Sequence, residues 1–237
     1  MPPDLPLPPS RRHVLRVGGL LAAGLFGPTA MALASDVPTR TVTAADQTVS
    51  PALRGLLDGN HRYATGHARH PDADARRRRQ TAHSQHPTAI VLGCVDSRVP
   101  PEIIFDQGLG DLLTVRTAGP TLDATVLASI SYGVVELGID LLVVLGHQRC
   151  GAVTATVAEI TSGTATPPEL RPITGQIAPA VRQARSRPGD LVENTMIAHV
   201  DQLCDDLRAQ SGLTSARSLT VVGAHLQLET GHVTLHQ

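Results

Sequence analysis

Two short, uninterrupted apolar runs stand out in the part of the chain that follows residue 50. They are Ala89-Ile90-Val91-Leu92-Gly93 and Leu141-Leu142-Val143-Val144-Leu145-Gly146. Short continuous runs of this kind are typical of strands that are covered on both faces in a parallel sheet. The segment from Leu112 to Val115 predicts a shorter third strand.

Apolar residues at helical spacing predict helices between and after these strands. The first set is Leu127, Ile130, Val134 and Leu137, and the second is Val192, Met196, Val200, Leu203 and Leu207. A short amphipathic helix is predicted to begin at Ser50-Pro51 and to end or bend at Asp58-Gly59-Asn60, and a strand pair is predicted around Glu229-Thr230-Gly231. The alternation predicts one α/β domain over residues 50–237, with a central, mainly parallel sheet flanked by helices.

The first 34 residues have the pattern of a twin-arginine signal peptide. Arg11 and Arg12 precede an apolar stretch from Val17 to Leu33 that holds no charge, and the stretch closes with Ala32-Leu33-Ala34. This pattern predicts export to the periplasm or the cell exterior, with cleavage after Ala34 or with the segment retained as a membrane anchor. Residues 35–49 are rich in Thr and Ala and are predicted to form a flexible lead-in.

Composition narrows the classes of function. The chain has 237 residues, 41% of them hydrophobic, which suffices for a sizeable buried core. Its 20 basic residues are all Arg, so lysine chemistry such as a Schiff base is excluded. With a net charge of −1 and no Trp, the chain is predicted not to bind nucleic acid, and to meet a membrane only through export or an uncleaved anchor.

Cysteine and histidine follow the two buried strands directly. Cys94 follows the first strand, and His147 and Cys150 follow the second as Gly-His-Gln-Arg-Cys-Gly. The carboxyl ends of parallel strands share one edge of a sheet, so these residues can converge if the strands are neighbours. Two thiolates and an imidazole suit zinc, with a fourth position left open. The alternatives are simple packing of the cysteines or a Cys94–Cys150 disulfide, whereas Cys204 lies at helical spacing and is predicted to be core.

These motifs resemble those of the β-class carbonic anhydrases. The resemblance rests on Cys94-Val95-Asp96-Ser97-Arg98 with Val99-Pro100-Pro101-Glu102, and on Gly146-His147-Gln148-Arg149-Cys150-Gly151. It implies an α/β fold, one zinc ion per subunit, a homodimer or dimer of dimers, and reversible hydration of carbon dioxide to bicarbonate by a zinc-bound hydroxide. It also implies that Cys94, His147 and Cys150 are zinc ligands and that Asp96 and Arg98 are the catalytic pair.

The resemblance leaves the role of Asp96 open. Its carboxylate can bind zinc itself in a closed form, or it can hold the attacking oxygen while paired with Arg98. Alignment with the family further implies a substrate pocket, in which relatives carry Phe where this chain has Leu113. The residues assigned to this pocket are Gln85, Leu113, Tyr132 and Gly151.

Three other functions remain compatible with the sequence. A related zinc hydrolase would attack carbon disulfide or carbonyl sulfide in place of carbon dioxide. A non-catalytic, exported zinc-binding protein would hold the metal without hydrating carbon dioxide. A thiol enzyme would use Cys94 as a nucleophile without metal.

Overall fold

The computed structural model describes residues 49–214 and 218–236, and these form a five-stranded sheet with helices around it. The strand order is β2-β1-β3-β4-β5, in which the first four strands are parallel and β5 is antiparallel to β4. The strands are β1 (Ala89–Cys94), β2 (Leu112–Thr117), β3 (Leu141–His147), β4 (Thr220–Leu226) and β5 (Val233–His236). The predicted mainly parallel α/β sheet and the final strand pair are confirmed.

Eight α-helices are described. They are α1 (Pro51–Ala64), α2 (Ala75–Gln80), α3 (Pro101–Ile104), α4 (Ala124–Val135), α5 (Gly151–Ser162), α6 (Arg171–Ala184), α7 (Leu191–Arg208) and α8 (Ser211–Thr214). The two helices predicted from apolar spacing correspond to α4 and α7. No helix in the described ranges is both long and apolar enough to cross a membrane. The predicted signal peptide, and the lead-in as far as residue 48, lie outside the described residues.

The strands β1 and β3 are adjacent and parallel, with Leu92 opposite Val144, and every residue of both is buried. Full burial explains why both strands read as continuous apolar runs, since neither has a face that contacts water. The register also brings their last residues, Cys94 and His147, to the same edge of the sheet. The metal-binding residue types are therefore held on rigid, buried strand ends.

Helix α1 does not end at Asp58-Gly59-Asn60, so the predicted helix end is wrong. A Cβ atom on Gly59 would lie 1.8 Å from the carbonyl oxygen of Phe105, so the glycine permits a close approach of two backbones. The Asn60 side chain is buried, and its amide donates hydrogen bonds to the carbonyl oxygens of Ile104 at 3.2 Å and Gly231 at 2.8 Å. Both residues serve packing between elements, and the helix continues to Ala64.

A buried carboxylate holds the segment after α1 against the end of α3. Asp106 is 1% exposed and accepts a 2.6 Å hydrogen bond from Nε of Arg62. It also accepts backbone N–H bonds from Arg69 and His70, the shortest at 2.8 Å. Burial on its own would raise the pKa of Asp106, but the Arg62 side chain and the two backbone donors lower it overall. Asp106 is therefore a buried, charged residue that stabilises the fold.

Candidate metal centre

Three buried side chains meet at the carboxyl edge of the sheet. Cys94 ends β1, His147 ends β3, and Cys150 is the N-cap residue of α5. One atom from each, two sulfurs and a ring nitrogen, lies within 4.8 Å of the other two. Elements that are far apart in sequence thus present three soft or borderline donor atoms to one small volume, as the sequence predicted.

The two sulfurs are spaced for a shared tetrahedral ion. The Sγ atoms of Cys94 and Cys150 are 4.0 Å apart, and both cysteines are free. Two sulfurs bound to tetrahedral zinc at about 2.3 Å would be about 3.8 Å apart, whereas a disulfide requires about 2.05 Å. The observed spacing fits two ligands of one ion and does not fit the disulfide alternative. Cys204 is buried on α7 in the hydrophobic core, as predicted.

The imidazole of His147 is oriented as a ligand. Its Nδ1 lies 3.0 Å from the carbonyl oxygen of Gln148. A carbonyl oxygen only accepts hydrogen bonds, so Nδ1 carries the hydrogen and Nε2 keeps a lone pair. Nε2 is buried and has no hydrogen-bond partner among the described residues. An unpaired buried acceptor beside two sulfurs is what a metal-binding histidine presents, and the donor set therefore fits zinc.

The electrostatics of the cysteine pair favour replacement of a proton by a cation. The hydrogen bond shared with the Cys150 sulfur lowers the pKa of Cys94, although burial works in the opposite direction. Backbone N–H groups of Asp96 and Gly119, each 3.4 Å from the Cys94 sulfur, also favour its thiolate. The same contact with Cys94, together with burial, raises the pKa of Cys150. A divalent ion that displaces the shared proton would allow both sulfurs to bind as thiolates.

Asp96 and Arg98 form a bidentate pair beside the cluster. Arg98 donates from Nε to Oδ1 at 2.9 Å and from Nη2 to Oδ2 at 2.7 Å, and its backbone N–H donates to Oδ1 at 2.9 Å. This pairing holds the pKa of Asp96 well below its usual range. Asp96 is not a member of the three-residue cluster of ligand atoms, so this structure shows the paired arrangement.

One positioning residue was missed by the sequence reasoning. Arg116, in β2, donates to the carbonyl oxygens of Cys94 at 2.8 Å and Asp96 at 2.7 Å. It thereby fixes the loop that carries the Asp96–Arg98 pair. The available signal was an arginine placed directly after the apolar residues of the third predicted strand, where a long cation requires nearby acceptors.

The four residues assigned to the substrate pocket lie in different surroundings. Gly151 follows Cys150 at the first position of α5 and is exposed. Leu113 is half-buried on β2, and its side chain packs close to Gly133 of α4. Tyr132, on α4, is 49% exposed, and Gln85 is exposed between α2 and β1. Chain connectivity thus places Gly151 beside the cluster, and the pocket roles of the other three residues stay predictions.

Comparison with known proteins assigns the family. The sequence profile of the carbonic anhydrase family matches residues 89–233, which include all three members of the cluster. Carbonic anhydrase 2 of Mycobacterium tuberculosis is 42% identical over 188 residues, covering 78% of this chain and 91% of that protein. The carbonic anhydrase of Mycolicibacterium smegmatis is 40% identical over 189 residues, with coverage of 78% and 91%.

Solved structures agree on the fold. A Coccomyxa β-carbonic anhydrase in complex with acetazolamide has a TM-score of 0.56 at 25% identity, covering 75% of this chain and 83% of that one. A tetrameric β-carbonic anhydrase from Sordaria macrospora has a TM-score of 0.62 at 20% identity, with coverage of 76% and 93%. The fold and the site therefore define an α/β protein of the carbonic anhydrase type. This chain belongs to the β-carbonic anhydrase family.

Proposed function

We infer that this protein is a zinc enzyme that catalyses the reversible hydration of carbon dioxide to bicarbonate and a proton. The observation that carries this conclusion is the buried Cys94–His147–Cys150 cluster beside a bidentate Asp96–Arg98 pair, in a chain of the β-carbonic anhydrase family. When bound, zinc supplies the Lewis acidity that makes water a nucleophile near neutral pH.

The three clustered side chains are proposed to hold the ion. Support comes from the spacing of the sulfurs, from the unpaired Nε2 of His147 and from the burial of all three residues. Two thiolates and a neutral imidazole balance the charge of a divalent ion, so the buried site would carry no net charge. A closed form, in which Asp96 also binds the ion, would require its carboxylate to leave Arg98.

Asp96 is proposed to orient the attacking water. Arg98 and its backbone N–H use three of the four lone pairs of the carboxylate, two on Oδ1 and one on Oδ2. The remaining lone pair of Oδ2 can accept a proton of the water in a hydrogen bond, which aims an oxygen lone pair at carbon dioxide. Arg98 keeps the carboxylate ionised and in place. Gln85, Leu113, Tyr132 and the backbone N–H of Gly151 are proposed to line the substrate pocket.

Two measurements on the purified protein test this function. Zinc stoichiometry by plasma mass spectrometry is expected to give one ion per subunit, and stopped-flow assays are expected to show hydration of carbon dioxide. Zinc without hydration would leave a zinc-binding protein of another function. Absence of zinc together with a reactive Cys94 thiolate would favour a thiol enzyme instead.

The protein is proposed to assemble as a homodimer or as a dimer of dimers. Support comes from β2, which is an edge strand, and from α4, where Tyr132 and Val135 are 49% and 52% exposed. These two residues are three positions apart and so share one helix face. Val135→Arg is expected to lower the mass measured by sedimentation to that of a monomer. An unchanged mass would remove this face from the interface.

Export by the twin-arginine pathway is proposed from Arg11, Arg12 and the apolar stretch that follows them. The destination would be the periplasm or the cell exterior, with the chain free after cleavage or attached to the membrane by an uncleaved segment. Cell fractionation of the full-length chain, compared with a variant carrying Arg11→Lys and Arg12→Lys, tests this proposal. Equal amounts of both proteins outside the cytoplasm would contradict it.

A further inference from the structure

The turn that follows β2 touches the metal centre through its backbone. The N–H of Gly119 points at the sulfur of Cys94, 3.4 Å away. Gly119 has a φ of +56°, and a Cβ atom there would lie 2.8 Å from Cβ of Ala152 and 3.0 Å from Cδ1 of Ile177. The turn can therefore come this close to the sulfur only because residue 119 is a glycine, which adopts the left-handed region and has no Cβ atom. A shift of this turn would change the hydrogen bonding of a candidate zinc ligand.

Hydrogen bonds from three parts of the chain hold this turn. The hydroxyl of Thr117 accepts from the N–H of Thr121 at 2.8 Å, and Oε1 of Gln176 on α6 accepts from the N–H of Leu122 at 2.9 Å. The third bond links Nε2 of His199, on α7, to the carbonyl oxygen of Pro120 at 2.6 Å. This last bond therefore fixes the position of Pro120, the residue directly after Gly119.

His199 is a polar residue in a buried position. It is 1% exposed, and burial lowers its pKa, which keeps the ring neutral. Because Pro120 offers a carbonyl oxygen, Nε2 carries the ring hydrogen, and Nδ1 is left buried with no hydrogen-bond partner in the described part of the chain. An aliphatic side chain would avoid the unpaired acceptor. The feature that an aliphatic residue cannot supply is the hydrogen bond to the turn.

We propose that His199 is a positioning residue of the metal centre: its hydrogen bond to Pro120 holds the Gly119 N–H on the sulfur of Cys94. The N–H···S bond stabilises the thiolate and limits its motion, which strengthens its hold on the ion. This inference rests on the proposed function in one respect, namely that zinc binds to Cys94. Outer partners of this kind commonly change metal affinity by about ten- to a hundredfold when removed.

A matched pair of substitutions isolates the hydrogen bond. His199→Gln retains an N–H donor on a side chain of similar length. His199→Met introduces a side chain of nearly the same shape as glutamine that has no donor. Thr195→Val is the control, because Thr195 is buried one helical turn away on α7 and its hydroxyl has no partner among the described residues. Zinc affinity is measured by competition with a chelator. The thiolate-to-cobalt charge-transfer band is recorded on the cobalt-substituted proteins.

We expect His199→Met to raise the zinc Kd by about tenfold or more and to shift the cobalt band, with His199→Gln and Thr195→Val close to wild type. A zinc Kd and a band that are unchanged in His199→Met would overturn the proposal, as would equal losses in the Met and Gln variants. His199→Leu replaces the Met variant should the latter not fold. Wild-type protein that binds neither metal would instead refute the zinc assignment itself, so the two failures are distinguishable.

Discussion

Replacement of Asp96 by asparagine separates the charge of the proposed catalytic pair, Asp96 and Arg98, from its shape. Asparagine keeps one carbonyl oxygen, which can still accept from the backbone N–H and Nε of Arg98 at the positions now 2.9 Å from Oδ1. Its amide nitrogen then stands where Oδ2 accepts from Nη2 at 2.7 Å, so two donors face each other. No lone pair remains on that side for the attacking water.

The expected loss follows from this count of lone pairs. A positioned group that exchanges or orients a proton in the transition state contributes about a hundredfold to ten-thousandfold in rate. Asp96→Asn should therefore lower kcat/KM for hydration by that factor, which is about 2.7 to 5.4 kcal/mol. Zinc content should not change, since the substitution alters none of the clustered ligand atoms and keeps the backbone N–H that donates to Cys94.

Stopped-flow hydration assays on zinc-loaded protein provide the measurement. Asp111→Asn is the matched control, because Asp111 forms a 2.6 Å ion pair with Arg77 on α2, outside the cluster and the Asp96–Arg98 pair. It should retain activity within about twofold of wild type, in contrast to the loss expected of a proton-transfer group. An Asp96→Asn enzyme with full activity and normal zinc would refute the orienting role.

Three further substitutions, one of them with a matched control, test the site and the packing that supports it. Cys150→Ala should lose most of its bound zinc by mass spectrometry, while Cys204→Ala keeps it, because Cys150 alone of the two belongs to the cluster. Asp106→Asn should lower the free energy of unfolding by about 3 kcal/mol near neutral pH, since it leaves the Arg62 charge without its partner. The pKa of Asp106 is lowered by folding, so its stabilisation is present above about pH 4 and is lost in acid; denaturant titrations should show the gap between variant and wild type closing there. Gly59→Ala should destabilise the fold by about 3 kcal/mol or more in the same titrations, because its Cβ would meet the Phe105 carbonyl.

The sheet and the three clustered residues could be predicted because their signals are local. A strand buried on both faces must be apolar throughout. Cys94 and His147 are recognisable because metal-binding residue types stand at the ends of such strands. Two other helices had no comparable signal. Apolar residues in α5 are interspersed with threonines, and α6 contains Pro179 in its interior, which reads as a break. Packing against neighbouring elements decides those cases.

The surroundings of the metal centre were less predictable for a different reason. A backbone N–H group, such as that of Gly119, has no residue type that identifies it. The residues Ala118-Gly119-Pro120 predict a turn after the third strand at most, and do not show what that turn contacts. The partner, His199, comes from α7, 79 positions further along the chain than Pro120. Residues that act by orienting a backbone become visible only once the fold brings them together.

The side chains of the site differ in their exposure to solvent. Cys94, His147 and Cys150 are at most 4% exposed, whereas the side chains of Asp96 and Arg98 are 18% and 51% exposed. Within the described part of the chain, the Asp96–Arg98 pair is therefore more exposed to solvent than the three clustered side chains. Under the proposed function, the exposed Arg98 guanidinium that holds Asp96 would also be available to an anionic product such as bicarbonate.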